Sequence, residues 1–175
     1  MYRRMSVAIV VLGAVVILAV TPALAGTVAY TGDTTGGPTF NRSFQDCSGY
    51  APSTAVPYDA QPFFVSADGL YSFSSIQSGF DGYLFLYGTS FDPSDSMMNC
   101  LGGDDDGDGG NGTSDFDYTL SAGAAYVLVT SGFADDQFGP FSNTISGPGT
   151  ITLGTPAATS DVPGEDMVDI SPEAV

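Results

Sequence analysis

The sequence predicts an all-β fold, a sandwich or barrel, on three observations. From Gly26 to Leu153, short runs rich in Val, Ile, Tyr, Phe and Thr alternate with clusters of Gly, Ser, Asp and Pro. No segment of that stretch carries a helical period. Two runs, 83–87 and 125–130, are apolar almost throughout, as central strands covered on both faces would be. With 9 Tyr and 12 Phe in the chain, a region of about 130 residues has enough apolar bulk for one sandwich core.

In chain order, residues 27–30 and 39–44 are modest strand candidates. Residues 63–65 follow Pro62 and belong to a strand entered from the loop around Pro57. The run 70–76 alternates, with Leu70, Ser72 and Ser74 on one face and Tyr71 and Phe73 on the other, the period of a half-exposed strand. Residues 83–87 form a central strand. Residues 97–101 lead into an Asp-rich loop, 116–120 leave it, and 125–130 form the second central strand. Residues 142–146 and 150–153 are expected to close the domain as a hairpin about Gly147-Pro148-Gly149.

The ends of the chain differ from this body. Arg3 and Arg4 precede an uncharged apolar stretch from Val7 to Val20, and Ala23-Leu24-Ala25 supplies a small-residue cleavage site. Residues 1–25 are therefore expected to be a signal peptide, with an uncleaved anchor as the rival reading. No Cys follows the cleavage site to carry a lipid. The expected localisation is secreted, periplasmic or at the cell surface. Residues 154–175 are dominated by Pro, Ala, Thr, Ser and acids, and are expected to form a disordered acidic tail beyond a domain spanning 26–153.

Composition excludes several functions. The chain has three basic residues, twenty acidic ones and no His, for a formal charge of −17 at pH 7. Cleavage after Ala25 would leave Arg42 as the sole base. A chain without a basic surface is a poor partner for nucleic acid or anionic membrane. Depletion of Lys to this degree also suits a saline source. Without His or Lys there is no Ser-His-Asp triad, Cys-His pair, Schiff-base lysine or imidazole zinc site. Only carboxylate-pair chemistry stays open, and a non-catalytic protein is expected. A hydrolase would need two carboxylates about 5–10 Å apart in a groove. The two cysteines, Cys47 and Cys100, read as one disulfide in an oxidising compartment. Closing so long a loop would stabilise the fold by about 4 kcal/mol before native-state strain.

Residues 104–115, Asp-Asp-Asp-Gly-Asp-Gly-Gly-Asn-Gly-Thr-Ser-Asp, carry the strongest chemical signal. Aligned to a calcium-loop pattern, Asp104, Asp106 and Asp108 take positions 1, 3 and 5, Gly109 takes 6, and Asp115 stands where a bidentate Glu is usual. Carboxylates on alternate residues of a Gly-rich loop can curl around one hard cation, and repel one another when it is absent. The expected ligands of a Ca²⁺ ion are the side chains of Asp104, Asp106, Asp108 and Asp115 and the Gly110 carbonyl, with Asp117 as a substitute for Asp115. An Asp at the last position suggests a modest affinity, roughly 10⁻⁴ to 10⁻³ M. The rival reading is a solvated connection whose Asp and Gly residues satisfy turn geometry.

Other candidates come with equally plain rivals. Asp81 reads as a turn cap ahead of the central strand, or as a further ligand. Asp135 and Asp136 read as a solvated loop tip, and Arg42 as the partner of a nearby acid. Phe133, Phe138 and Phe141 cluster in one loop, with Phe91, Tyr50 and Tyr58 elsewhere. Such rings could hold sugar or peptide, or fold back over the core.

The order Tyr71-Ser72-Phe73, Phe80-Asp81-Gly82-Tyr83-Leu84-Phe85-Leu86-Tyr87, Gly103-Asp104-Asp105-Asp106-Gly107 and Tyr118 to Val129 resembles the bacterial pre-peptidase C-terminal domain over about residues 63–153. The resemblance implies a jelly-roll-like β-sandwich with an Asp-Asp-Gly-rich hairpin loop. Such domains are associated with secretion, with substrate or matrix adhesion and, in collagen-binding relatives, with calcium. They usually follow a catalytic domain, whereas here a signal peptide alone is expected ahead of the domain. The expectation is a secreted binding or adhesion module for an extracellular protein or polysaccharide, with an accessory domain of another secreted protein as the alternative.

Overall fold

The computed structural model describes residues 25–155. The expected signal peptide therefore lies outside the described residues except for Ala25, and so does the expected tail except for Gly154 and Thr155. Among the described residues, ten strands make up the regular structure: β1 (Ala25–Asp33), β2 (Thr39–Phe40), β3 (Val56–Val65), β4 (Gly69–Gln77), β5 (Gly82–Gly88), β6 (Cys100–Asp104), β7 (Thr113–Leu120), β8 (Ala125–Gly132), β9 (Pro140–Pro148) and β10 (Ile151–Leu153).

The strands form two antiparallel sheets. The first runs β1-β9-β4-β7, and the second runs β10-β3-β8-β5-β6 with β2 added to β3. The pairings nest within one another: β1 with β9, β3 with β8, β4 with β7 and β5 with β6. A chain doubled back at the β5–β6 turn, with successive pairs sent to alternate sheets, is a jelly roll. The all-β sandwich read from the runs of apolar residues is thus the fold observed.

Two local expectations need correction. Residues 147–149 do not turn a hairpin, because β9 lies in the first sheet and β10 pairs with β3 in the second. Gly149, at φ 80°, lets the chain cross between sheets and delivers Ile151 to the core. The Asp-rich loop is not a hairpin tip either. It leaves β6 at one edge of the second sheet and enters β7 at the edge of the first, so it bridges the layers. β3 is also longer than expected, reaching back through Pro62 and Pro57 to Val56.

Two apolar clusters result. Between the sheets pack Phe63, Val65, Tyr71, Phe73, Leu84, Leu86, Leu120, Leu128 and Ile145. A second cluster lies on the outer face of the second sheet, where Tyr83, Phe85, Tyr87, Val127 and Val129 meet Phe40 and Val56. Six residues of β5 are buried because alternate side chains feed both clusters. Phe91 and Tyr58 extend the outer cluster, their rings 5.0 Å apart and each about as close to Phe40. The Cys47–Cys100 disulfide, with Cα atoms 5.9 Å apart, ties the covering segment to β6. Among the described residues, the outer face of the first sheet has no such cover and presents Thr27, Thr31, Ser72, Ser74, Asp115 and Asp117 to water.

Candidate metal centre and adjoining pocket

The β5–β6 pairing decides which acids meet. Leu84 pairs with Asp104, so the residues just before β5 lie beside those just after β6. Asp81 thereby comes to Asp105 and Asp106, and one carboxylate oxygen from each lies within 4.8 Å of the others. The Oδ1 atoms of Asp81 and Asp105 are buried without a hydrogen-bonding partner. Unpaired buried acceptors are costly unless something fills the space between them. Desolvation, followed by the charges of Asp106 and Asp81, pushes the Asp105 carboxyl up to about 6. Asp81 is raised too, by desolvation first and by Asp106 second, with Arg42 opposing.

The other residues singled out in the loop are placed differently. The Asp104 carboxylate accepts the Asp115 backbone N–H at 2.8 Å, and the Asp115 carboxylate accepts that of Asp108 at 2.8 Å. The Gly110 carbonyl accepts from the backbone and hydroxyl of Thr113 at 3.0 and 2.8 Å. Gly110 and Gly112 adopt φ of 74° and 87°, and a Cβ on Gly107 would stand 2.0 Å from the Asp115 carboxylate. Of the five expected ligands, the structure brings Asp106 into the convergent group. It gives Asp104 and Asp115 a part in closing the loop on itself. Asp117 faces outward from β7. Pairing by alternate residues overlooks Asp105, and the register between β5 and β6 brings it to Asp81, which the sequence offers as a turn cap or a further ligand.

A pocket of about 380 Å³ adjoins this group, lined by Arg42, Phe44, Asp46, Tyr83, Asp105 and Phe133 among others. Arg42, the one base among the described residues, is only 4% exposed. Its guanidinium carbon lies 4.3 Å from the centre of the Tyr83 ring and 4.9 Å from that of Phe133, within cation–π range. Nη1 donates to the Ser43 carbonyl at 3.2 Å, whereas the buried Nε has no acceptor. Burial pushes the Tyr83 hydroxyl up to about 12, with Arg42 opposing. The Phe133 backbone N–H donates to the Asp81 carbonyl at 2.9 Å, coupling the pocket wall to the acidic group.

The loop aromatics separate. Phe133 and Phe138 are exposed, whereas Phe141 is buried against Tyr30 in an edge-on contact at 6.3 Å. Tyr50 is exposed and donates to Asp95 at 3.0 Å. Asp135 accepts the Ala55 backbone N–H at 3.1 Å.

No protein-family model matches the chain, and no curated protein matches it. Among solved structures it is similar to "CBM35 from Cellvibrio japonicus Abf62", at 9% identity and a TM-score of 0.40, over 74% of this chain and 100% of that one.

Proposed function

We propose that this chain is a secreted, non-catalytic β-sandwich module for extracellular binding, exported by cleavage after Ala25 and stabilised by calcium. The observation carrying the reading is the convergence of Asp81, Asp105 and Asp106, two of whose oxygens are buried and unpaired. A hard divalent cation supplies what those oxygens lack, and carboxylates are its preferred ligands. Such an ion would pin the start of β5 to the loop after β6, and so hold the bridge between the two sheets. The shared order of aromatic strand, central strand, Asp-rich loop and second central strand supports a place near the pre-peptidase C-terminal domains.

Thermal unfolding with the disulfide intact, in millimolar calcium and then in excess chelator, tests the cation. Calcium should raise the midpoint, and Asp105→Asn or Asp106→Ala should abolish the rise while Asp108→Ala keeps it. A rise that survives in both triad variants but disappears in Asp108→Ala would move the ion to the alternate-residue set.

pH gives a second reading with a definite sign. Because the Asp105 carboxyl is raised to about 6, the folded chain without calcium binds its proton more readily than the unfolded chain does. Its contribution to stability falls as pH rises from the ordinary carboxylate range through about 6. Asp105→Asn should flatten that fall, and saturating calcium should reverse it.

A further inference from the structure

We propose that the pocket over Arg42 is a binding site for a neutral sugar ring of an extracellular glycan. Its polar grip would come from Arg42, Asp46 and Asp105, and its apolar contact from the rings of Phe44 and Phe133. The proposal rests on the reading of the chain as a binding module and names the ligand class for which this surface is built.

Four observations converge on it. The pocket, about 380 Å³, is within the range of small-ligand sites. Phe44 and Phe133 line it while remaining 45% and 42% exposed, so each has ring surface to offer. A charged side chain is buried in its wall with hydrogen-bonding capacity left over: Arg42 has no ion-pair partner among the described residues, and one hydrogen bond accounts for little of its five-donor fork. Asp46 and Asp105 provide acceptors in the same space.

The mixture of groups selects the ligand. Ionised carboxylates only accept, and guanidinium only donates, so a ligand facing all three must both donate and accept, as hydroxyls do. Aromatic rings beside those groups ask for an apolar face on the same ligand. A pyranose ring has both, with hydroxyls at its rim and C–H groups on its faces. An anionic ligand meets two carboxylates for one guanidinium, on a chain of net charge −17. A cationic ligand would need to sit against Arg42.

The test is isothermal titration of the purified protein at neutral pH in millimolar calcium. Cellohexaose, xylohexaose and mannohexaose are the neutral probes, and trigalacturonate is the anionic one. At least one neutral oligosaccharide should bind, more tightly than trigalacturonate. Phe44→Ala and Phe133→Ala should each weaken it by about tenfold or more, as loss of a central aromatic contact does. Phe138→Ala, an exposed ring that does not line the pocket, should leave it unchanged. Arg42→Gln should abolish binding, and because Arg42 is buried, the two exposed Phe variants decide the matter if that protein fails to fold.

Binding by none of the neutral probes overturns the proposal, as does tighter binding of trigalacturonate or binding indifferent to both pocket Phe variants. The calcium-dependent midpoint, measured on the same samples, separates the two readings. A calcium shift without glycan binding removes the sugar site alone, and glycan binding without a calcium shift removes the cation alone.

Discussion

The two sheets of this sandwich meet water in opposite ways. The first buries one face and leaves the other as a surface of Thr, Ser and Asp side chains with Leu70 and Ile76 among them. The second buries both along β5 and β8, the inner face against its partner sheet and the outer beneath Phe40, Tyr58 and Phe91. Sequence explains the contrast. In β4 exposed and buried positions alternate and Tyr71 and Phe73 point to the buried side, so one face is dry, whereas β5 is apolar at successive positions and each of its faces needs a cover. The cover is built from Phe40 on the short strand β2, Tyr58 on β3 itself and Phe91 on the loop after β5 rather than from a third sheet, and the disulfide ties the segment after β2 to β6. A doubly covered sheet also makes a pocket wall: Tyr83, in the outer cluster, carries Arg42 on its ring.

The largest effect should come from emptying either core. Phe85→Ala and Phe73→Ala should each cost about 3–5 kcal/mol in chemical denaturation. Equal losses would make the outer cluster a second core in energetic terms. A loss below about 1 kcal/mol at Phe85 would reduce it to a loose flap. Next comes the fastening. The double variant Cys47→Ala, Cys100→Ala should lose about 2–5 kcal/mol. Hydrogen exchange should then speed up in residues 39–56 before it does in β4 or β9. Uniform loosening would show instead that the bond acts on the whole chain. Smallest is a change on the uncovered face. Ile76, 59% exposed, can become Thr with a shift within about 0.5 kcal/mol. A larger loss would mean that this face packs against something.

The same contrast separates what was readable in the sequence from what was not. The alternation of 70–76 assigned Tyr71 and Phe73 inward and Leu70 outward, and Leu70 is indeed 58% exposed. The central position of 83–87 followed from unbroken apolarity. The first half of β3 was hidden because Pro57 and Pro62 argue against a strand. Between its pairings with β2 and β10, residues 58–62 have β8 on one side and no strand on the other among the described residues. A missing N–H costs least there. Sheet membership was hidden as well. A hairpin and a crossover between layers share the same Gly and Pro signals, so 147–149 and the Asp loop read locally as turns. Asp105 was hidden for a related reason, and Asp81 was legible only as a turn cap or a further ligand, since their proximity comes from the register between two strands and not from spacing along the chain.

The nested pairing has a consequence for how the chain becomes a protein. Of the described strands β1 is made first, yet its only strand partner among the described residues is β9, and the hydrogen bond from the Thr34 hydroxyl to the Gly139 carbonyl spans 105 residues. Contacts so distant in sequence form slowly, because loop entropy must be lost before any of them forms. Until β9 has been synthesised, β1 remains a stretch of Gly, Thr, Val, Ala and Tyr, charged only at its last residue, Asp33, with both edges open, the kind of segment that pairs with a neighbouring chain. Crowding of nascent copies is therefore the hazard this topology carries, and holding the first strand apart until the last arrives is the step on which its yield depends.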